Sequence, residues 1–143
     1  MRAELTVDAV LESMDRIIAF VDSALDSLQC PQKIRRQIDV AVDELAGNIV
    51  YYAYPDGAGA LTVQMEYDAA SSQVCITLKD AGIPFNPLER AEPDITAQVD
   101  ERKVGGLGIM IARKSMDDIS YVHRDGQNVL KIQKRIKKEV GAG

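Results

Sequence analysis

Glu44 and Asn48 stand four residues apart in a stretch of helical periodicity, which puts them on one side of a helix, one above the other. A carboxylate beside an amide can serve a single phosphate site. The carboxylate takes a proton from an attacking hydroxyl or water, and the amide offers a neutral oxygen to Mg²⁺, which demands oxygen ligands. The same pair also suits a plain solvated helix face. Both residues lie about 100° from the apolar stripe of their helix, so they are expected to border the core and not to enter it. Gly47 between them costs about 1 kcal/mol relative to alanine inside a helix. Close approach of a neighbour or ligand explains it, and so does simple tolerance.

Two further stretches carry chemistry of the same kind. Asp80-Ala81-Gly82-Ile83-Pro84-Phe85-Asn86-Pro87 follows a strand pattern. An Asp at a strand end can accept a hydrogen bond from an exocyclic amine such as adenine N6, and Gly82 lets a flat base approach the backbone; an ordinary Asp-x-Gly turn has the same look. Gly105-Gly106-Leu107-Gly108 precedes a helix pattern. Glycines there free backbone N–H groups to wrap an anion, and the helix N-terminus adds partial positive charge; a flexible hinge is the plainer reading. The run has neither the Gly-Lys-Ser/Thr end of a Walker A loop nor the dinucleotide fingerprint. Arg102 or Lys103, just before it, can reach a terminal phosphate and offset its charge. His123, the one histidine, falls on a strand pattern and reads as structural, and Tyr51, Tyr52 and Tyr54 read as packing and rim residues.

These residues need elements to position them. Ala3 to Val7 suggests a short edge strand. Leu11, Met14, Ile18, Val21, Leu25 and Leu28 recur at spacings of three and four, as on an amphipathic helix. Pro31 opens a second helix, whose stripe is Ile34, Ile38, Ala41, Leu45, Ile49 and Tyr52. Pro55-Asp56-Gly57 marks a turn. Alternation in Leu61–Tyr67 and Val74–Leu78 predicts an antiparallel hairpin. A long irregular segment from Ala81 to about Val104 follows, of the length that is usually functional or mobile. The glycine run then opens a third helix through Met116, and two last strands, Ile119–His123 and Val129–Ile136, join at Asp125-Gly126. Runs of strands with separate helices predict an α+β two-layer sandwich, three main helices on one face of a mixed, mostly antiparallel sheet.

Composition narrows the class. One domain covering residues 1–143 is expected from the length, enough to bury a core without metal or disulfide staples. A formal charge of −5 disfavours direct nucleic-acid binding, which needs a basic face to release counterions. Lys131, Lys134, Arg135, Lys137 and Lys138 cluster near the C-terminal end and read as a solvated strand and tail. Cys30 and Cys75 have no zinc-like spacing. The N-terminal residues lack the apolar run of a signal peptide and no stretch approaches the ~20 apolar residues of a membrane span, so a cytoplasmic setting away from membranes is expected.

Taken in order, Glu44-x-x-x-Asn48, Asp80-x-Gly82-x-Pro84-Phe85 and Gly105-Gly106-Leu107-Gly108-Ile109 resemble the boxes of the GHKL (Bergerat-fold, histidine-kinase-like) ATPases. More closely, the chain resembles the stand-alone bacterial anti-sigma-factor serine/threonine kinases. Val42-Asp43-Glu44-Leu45, Ala53-Tyr54 and Met116-Asp117 before a strand add to the likeness, which runs from about Leu5 to Ile136. The resemblance implies ATP held with Mg²⁺ beneath a lid, here residues 89–104. It implies Glu44 as general base, Asn48 as the Mg²⁺ ligand, Asp80 as the reader of adenine, and Gly82, Phe85, Gly105, Gly106, Leu107 and Gly108 around the nucleotide, with Arg102 or Lys103 on the γ-phosphate. Its implied partners are a sigma factor and an anti-anti-sigma (STAS-type) protein that is phosphorylated on serine or threonine, and its implied assembly is a homodimer. The last strand, Gly126-Gln127-Asn128-Val129, lacks the threonines that some relatives place near the nucleotide. A non-catalytic switch of the same fold, gripping its partner in a nucleotide-dependent way, is the alternative.

Overall fold

A computed structural model describes residues 1–89 and 107–136. The chain runs through β1 (Arg2–Asp8), α1 (Met14–Ser27), α2 (Gln32–Tyr52), β2 (Ala60–Asp68), β3 (Gln73–Asp80), α3 (Leu107–Ser115), β4 (Asp118–Arg124) and β5 (Gln127–Arg135), with short 3₁₀ turns at Leu11–Ser13 and Pro87–Glu89. Five strands form one sheet in the order β1-β2-β3-β5-β4. Every pairing among the described residues is antiparallel, so the sheet is antiparallel throughout where a mixed one was expected. Each strand follows its partner through a turn or lies beside a hairpin, and no parallel crossover is needed.

Alternation in the strands gives the sheet one apolar face. Val7, Leu61, Val63, Met65, Val74, Ile76, Leu78, Leu130 and Ile132 are buried, with Ile17, Val21 and Leu25 from α1 and Ile38, Ala41, Leu45 and Ile49 from α2. Ile109, Ala112 and Met116 complete the layer from α3 and its end. The α1 stripe differs from its expected course at the start. Leu11 is 63% exposed and Ile17 takes the buried place. The reason is the 3₁₀ turn at Leu11–Ser13, whose three residues per turn rotate Leu11 off the face that an α-helix would present. The β4–β5 hairpin closes on Asp125 and Gly126, both at positive φ (55° and 77°), the two-residue geometry that matches strand twist.

Where α1 meets α2, carboxyl groups face each other. Oδ1 of Asp22 and Oδ1 of Asp39 are both buried with no donor among the described residues to meet them. A proton held between the two supplies what neither ionised oxygen can. Burial, a hydrogen bond with Asp22 and the Asp22 charge push Asp39 up to about 7, with Arg35 opposing and Asp26 adding. Arg35 is engaged nearby, its Nη1 2.9 Å from Asp26 Oδ1, and Cys30 lies in the same charge environment. A folded value above the unfolded one contributes stability that is complete below the ordinary carboxylate range and lost as pH rises through about 7. Thermal melts are therefore expected to show stability falling from mildly acidic to neutral pH. Asp39→Asn should flatten that slope and raise the melting temperature at pH ~8 by roughly 3 °C, the scale of a ~1 kcal/mol change in a domain of this size.

Candidate functional site

The end of α2 meets the turn after β3 at a backbone junction. Ile83 N–H donates to the Ala53 carbonyl at 2.8 Å. A Cβ on Gly82 would collide with that carbonyl and with the Ala53 side chain. Glycine at 82 is thus demanded by helix-to-turn packing, a constraint inside the protein and independent of any base stacked on it. Tyr54 fastens the same corner: its hydroxyl donates to the Ala60 carbonyl at 2.6 Å and accepts from Ala81 N–H at 2.8 Å. Tyr54 was expected only to pack at a rim; it ties the end of α2 to both β2 and β3.

This junction brings the Asn48 side of α2 against Asp80. Leu45, Asn48, Ile49 and Ala53 line a narrow cleft, partly open to solvent, with Asp80, Phe85, Pro87, Tyr121, Asn128 and Leu130. The free space inside it is about 20 Å³, room for a water and short of the ~300 Å³ at which ordinary ligand pockets begin, so a base enters only as the walls move apart. Phe85 lies against Tyr52, ring centroids 5.6 Å apart. Asp80 is 3% exposed, and both of its hydrogen bonds fall on Oδ1, from Gly82 N–H and from Asn128 Nδ2 at 2.9 Å each.

Asn48 departs from the expectation that it borders the core. It is 7% exposed, because the sheet end and the 83–88 segment close over that side of α2. Its Nδ2 is buried with no hydrogen-bond partner among the described residues. An orphaned buried amide costs about 1–3 kcal/mol, and such groups in native proteins call for a ligand, water or ion. Because the nitrogen has no such partner to lose, the amide can present either end to the cleft. Among the described residues no three His, Cys, Asp or Glu side chains converge as a metal cage. One amide oxygen here therefore fits Mg²⁺ only as an ion brought in on substrate phosphates, which is the ion's habit.

Glu44, one turn earlier on α2, is half-buried and sits beside the first turn of α3. A Cβ on Gly108 would overlap its carboxylate, so Gly108 leaves the space that the Glu44 side chain fills. Burial, and then the neighbouring Asp43 charge, push the Glu44 carboxyl up, toward the range useful to a base at neutral pH. Gly47 has open space where a Cβ would go, so no present contact requires a glycine there.

Asn48, Asp80 and Phe85 thus line one cleft, Gly82 lies at the Ala53 junction, and Glu44 meets Gly108 one turn earlier on α2. Arg102, Lys103, Gly105 and Gly106 lie outside the described residues, as does the expected lid apart from Glu89; Leu107 begins α3, but its side chain is not described. Sequence reasoning missed Asn128 and Tyr121. Asn128 is 4% exposed, and its Oδ1 accepts from Phe85 N–H at 3.2 Å and from the Tyr121 hydroxyl. Burial pushes that hydroxyl up, and the Asp80 and Glu89 charges add to the shift against a hydrogen bond at the Phe85 backbone, so it stays a donor. The one signal in the sequence was a polar residue at an inward position of an otherwise apolar strand, Asn128-x-Leu130-x-Ile132. His123 lies exposed on β4.

Residues 7–134 match the histidine kinase-like ATPase domain. The chain is 27% identical over 100 residues to the serine/threonine-protein kinase BtrW of Bordetella bronchiseptica, a stretch covering 70% of each. It is 31% identical over 104 residues to the serine-protein kinase RsbW of Bacillus mycoides, covering 70% of this chain and 63% of that protein. A crystal structure of RsbU and RsbW domains from Mycobacterium tuberculosis superposes with a TM-score of 0.69 at 15% identity, over 97% of this chain and 33% of that one; at that identity the likeness is one of fold.

The two glycines differ in what a methyl group would strike, and stability should follow. Gly82→Ala meets fixed backbone and is expected to lower the unfolding free energy by about 2 kcal/mol, as overpacking does. Gly47→Ala meets nothing and should raise it by roughly 0.5–1 kcal/mol. Urea denaturation of both variants checks the pair, and equal effects would contradict this account of the Ala53 junction.

Proposed function

The chain belongs to the histidine kinase-like ATPase domain family, and from that premise we propose that it is an ATP-dependent protein serine/threonine kinase acting as an anti-sigma factor. The observation that carries the reading is the buried Nδ2 of Asn48, without a hydrogen-bond partner among the described residues, on a residue that lines the same cleft as Asp80, with Glu44 one turn away. An amide nitrogen and a carboxylate oxygen that meet no partner among the described residues suit a ligand with both donors and acceptors.

In this reading Asp80 accepts a hydrogen bond from the amine of adenine, and the cleft walls from Leu45, Ile49 and Leu130 cover the base. Asn48 holds Mg²⁺, which neutralises charge on the phosphates when bound. Glu44 takes the proton of a serine or threonine hydroxyl as its oxygen bonds to the γ-phosphorus, while the bond from that phosphorus to the β-bridging oxygen breaks and ADP leaves. Phosphoryl transfer asks mainly for positioning and electrostatics. Gly105, Gly106, Leu107 and Gly108 cradle the phosphates, and Arg102 or Lys103 offsets the developing charge. The phosphorylated partner is an anti-anti-sigma (STAS-type) protein, the alternate partner is a sigma factor, and the working form is a homodimer in the cytoplasm. Among the described residues no helix is long and apolar enough to cross a membrane.

Incubation with ATP, Mg²⁺ and STAS-type proteins of the same organism should yield phosphoserine or phosphothreonine on one of them, read by mass spectrometry. Glu44→Gln is expected to lower the rate by about 10²–10⁴-fold and leave nucleotide binding in place. Unchanged function in that variant would favour a non-catalytic, nucleotide-dependent switch. Because burial raises the Glu44 carboxyl, the acid limb of the wild-type pH–rate profile should be displaced upward from that of an ordinary glutamate.

A further inference from the structure

Asn128 sits directly across from Asp80 in the β3–β5 register, and its side chain is committed at both ends. Nδ2 donates to Asp80 Oδ1 at 2.9 Å and to the Ile83 carbonyl at 2.8 Å. Oδ1 accepts from Phe85 N–H and from the Tyr121 hydroxyl. Two acceptors face the nitrogen and the Phe85 N–H faces the oxygen, so turning the amide over breaks three bonds at once. With the Gly82 N–H also on Oδ1, that oxygen of Asp80 is filled. No donor among the described residues meets Oδ2, and Asp80 lines the cleft.

Resting on the nucleotide-binding reading above, we propose that Asn128 is the positioning residue that sets base selectivity: by occupying Oδ1 it aims Oδ2 of Asp80 as a single fixed acceptor, which selects a purine carrying a 6-amino group. A carboxylate held on one side only by a backbone N–H can pivot and trade partners. One clamped by a four-bonded amide cannot, and a base without the amine leaves Oδ2 dry and unpaired. Sites built to pair a polar group reject analogues that lack it far more strongly than apolar pockets reject a missing methylene. The same amide also holds the Ile83 carbonyl and Phe85 N–H, so the turn that walls the cleft and the carboxylate that reads the base are set by one side chain.

The test compares Mg-ATP with the Mg complex of purine riboside triphosphate, which differs only by the missing amine, in titration calorimetry. Wild type should bind the analogue ~10-fold or more weakly, the size of a lost hydrogen bond to a charged group. Asn128→Asp keeps the shape and both acceptor contacts and, assayed at pH ~9 where the two adjoining carboxyls no longer share a proton, faces Asp80 with an acceptor in place of a donor. It should bind ATP about as weakly as the analogue, with the preference reduced to under ~3-fold, as expected when the pairing group is no longer held. Tyr121→Phe, which leaves both Nδ2 bonds intact, should keep the wild-type preference. A merely structural role would weaken both ligands equally, and that result, or an undiminished preference in a folded Asn128→Asp protein, overturns the proposal. Should that variant not fold, the Asn128 side-chain amide resonances of wild type decide: they should shift with ATP and much less with the analogue, and equal shifts overturn it. Wild type that binds ATP with no preference for the amine sinks this inference and leaves the nucleotide reading standing; wild type that binds neither sinks both.

Discussion

The Ala53 carbonyl, reached by the Ile83 N–H across a glycine that admits no side chain, fixes the distance between a helix and a turn that would otherwise have no reason to meet. α2 carries Glu44 and Asn48; β3 ends in Asp80. Apolar packing of Leu45 and Ile49 on the sheet sets the height of α2 above the strands, but burial is non-directional and leaves sliding along the helix axis nearly free. The backbone bond and the Tyr54 hydroxyl, which joins Ala60 and Ala81, remove that freedom. The cleft is the space left over once the junction is closed.

Polar groups buried at the end of an apolar layer cost free energy unless they are paired, and the two amides here are treated in opposite ways. Asn128 has every group satisfied within the protein, and it acts as part of the frame. Asn48 has a nitrogen with no partner among the described residues, at a depth where water is scarce. A frame that tolerates one incomplete group beside several complete ones is organised for something that arrives from outside. Glu44 shows the same economy of position: partial burial raises its carboxyl, and Gly108 gives it the room to lie against the first turn of α3.

The acidic contact between α1 and α2 belongs to stability and stands apart from the cleft. Asp22 and Asp39 share a buried meeting point, while Asp26 and Arg35 pair at the more exposed end of the same crossing. The two helices are therefore joined by a polar seam whose strength depends on protonation, lying over a core whose strength does not.

Much of this was legible in the residues. Period-two and helical patterns located the strands and helices, since burial on one side of a strand or helix imposes those spacings directly; Asp125-Gly126 announced its hairpin because few residues accept two positive φ values. Glu44, Asn48, Asp80 and Gly82 stood out by type and order, and with the Gly105-Gly106-Leu107-Gly108 run they carry the family likeness. The depth of Asn48, the roles of Tyr54, Tyr121 and Asn128, and the steric reasons for Gly82 and Gly108 were not legible. Each depends on which atoms come within bonding distance across elements far apart in the chain, and local spacing carries no record of that. Local chemistry and periodicity thus determined which residues are candidates and what elements bear them. Only the tertiary structure decided which of their polar atoms are used up inside the protein and which are left for a ligand, because satisfaction of a buried hydrogen-bonding group is a property of its neighbours in space.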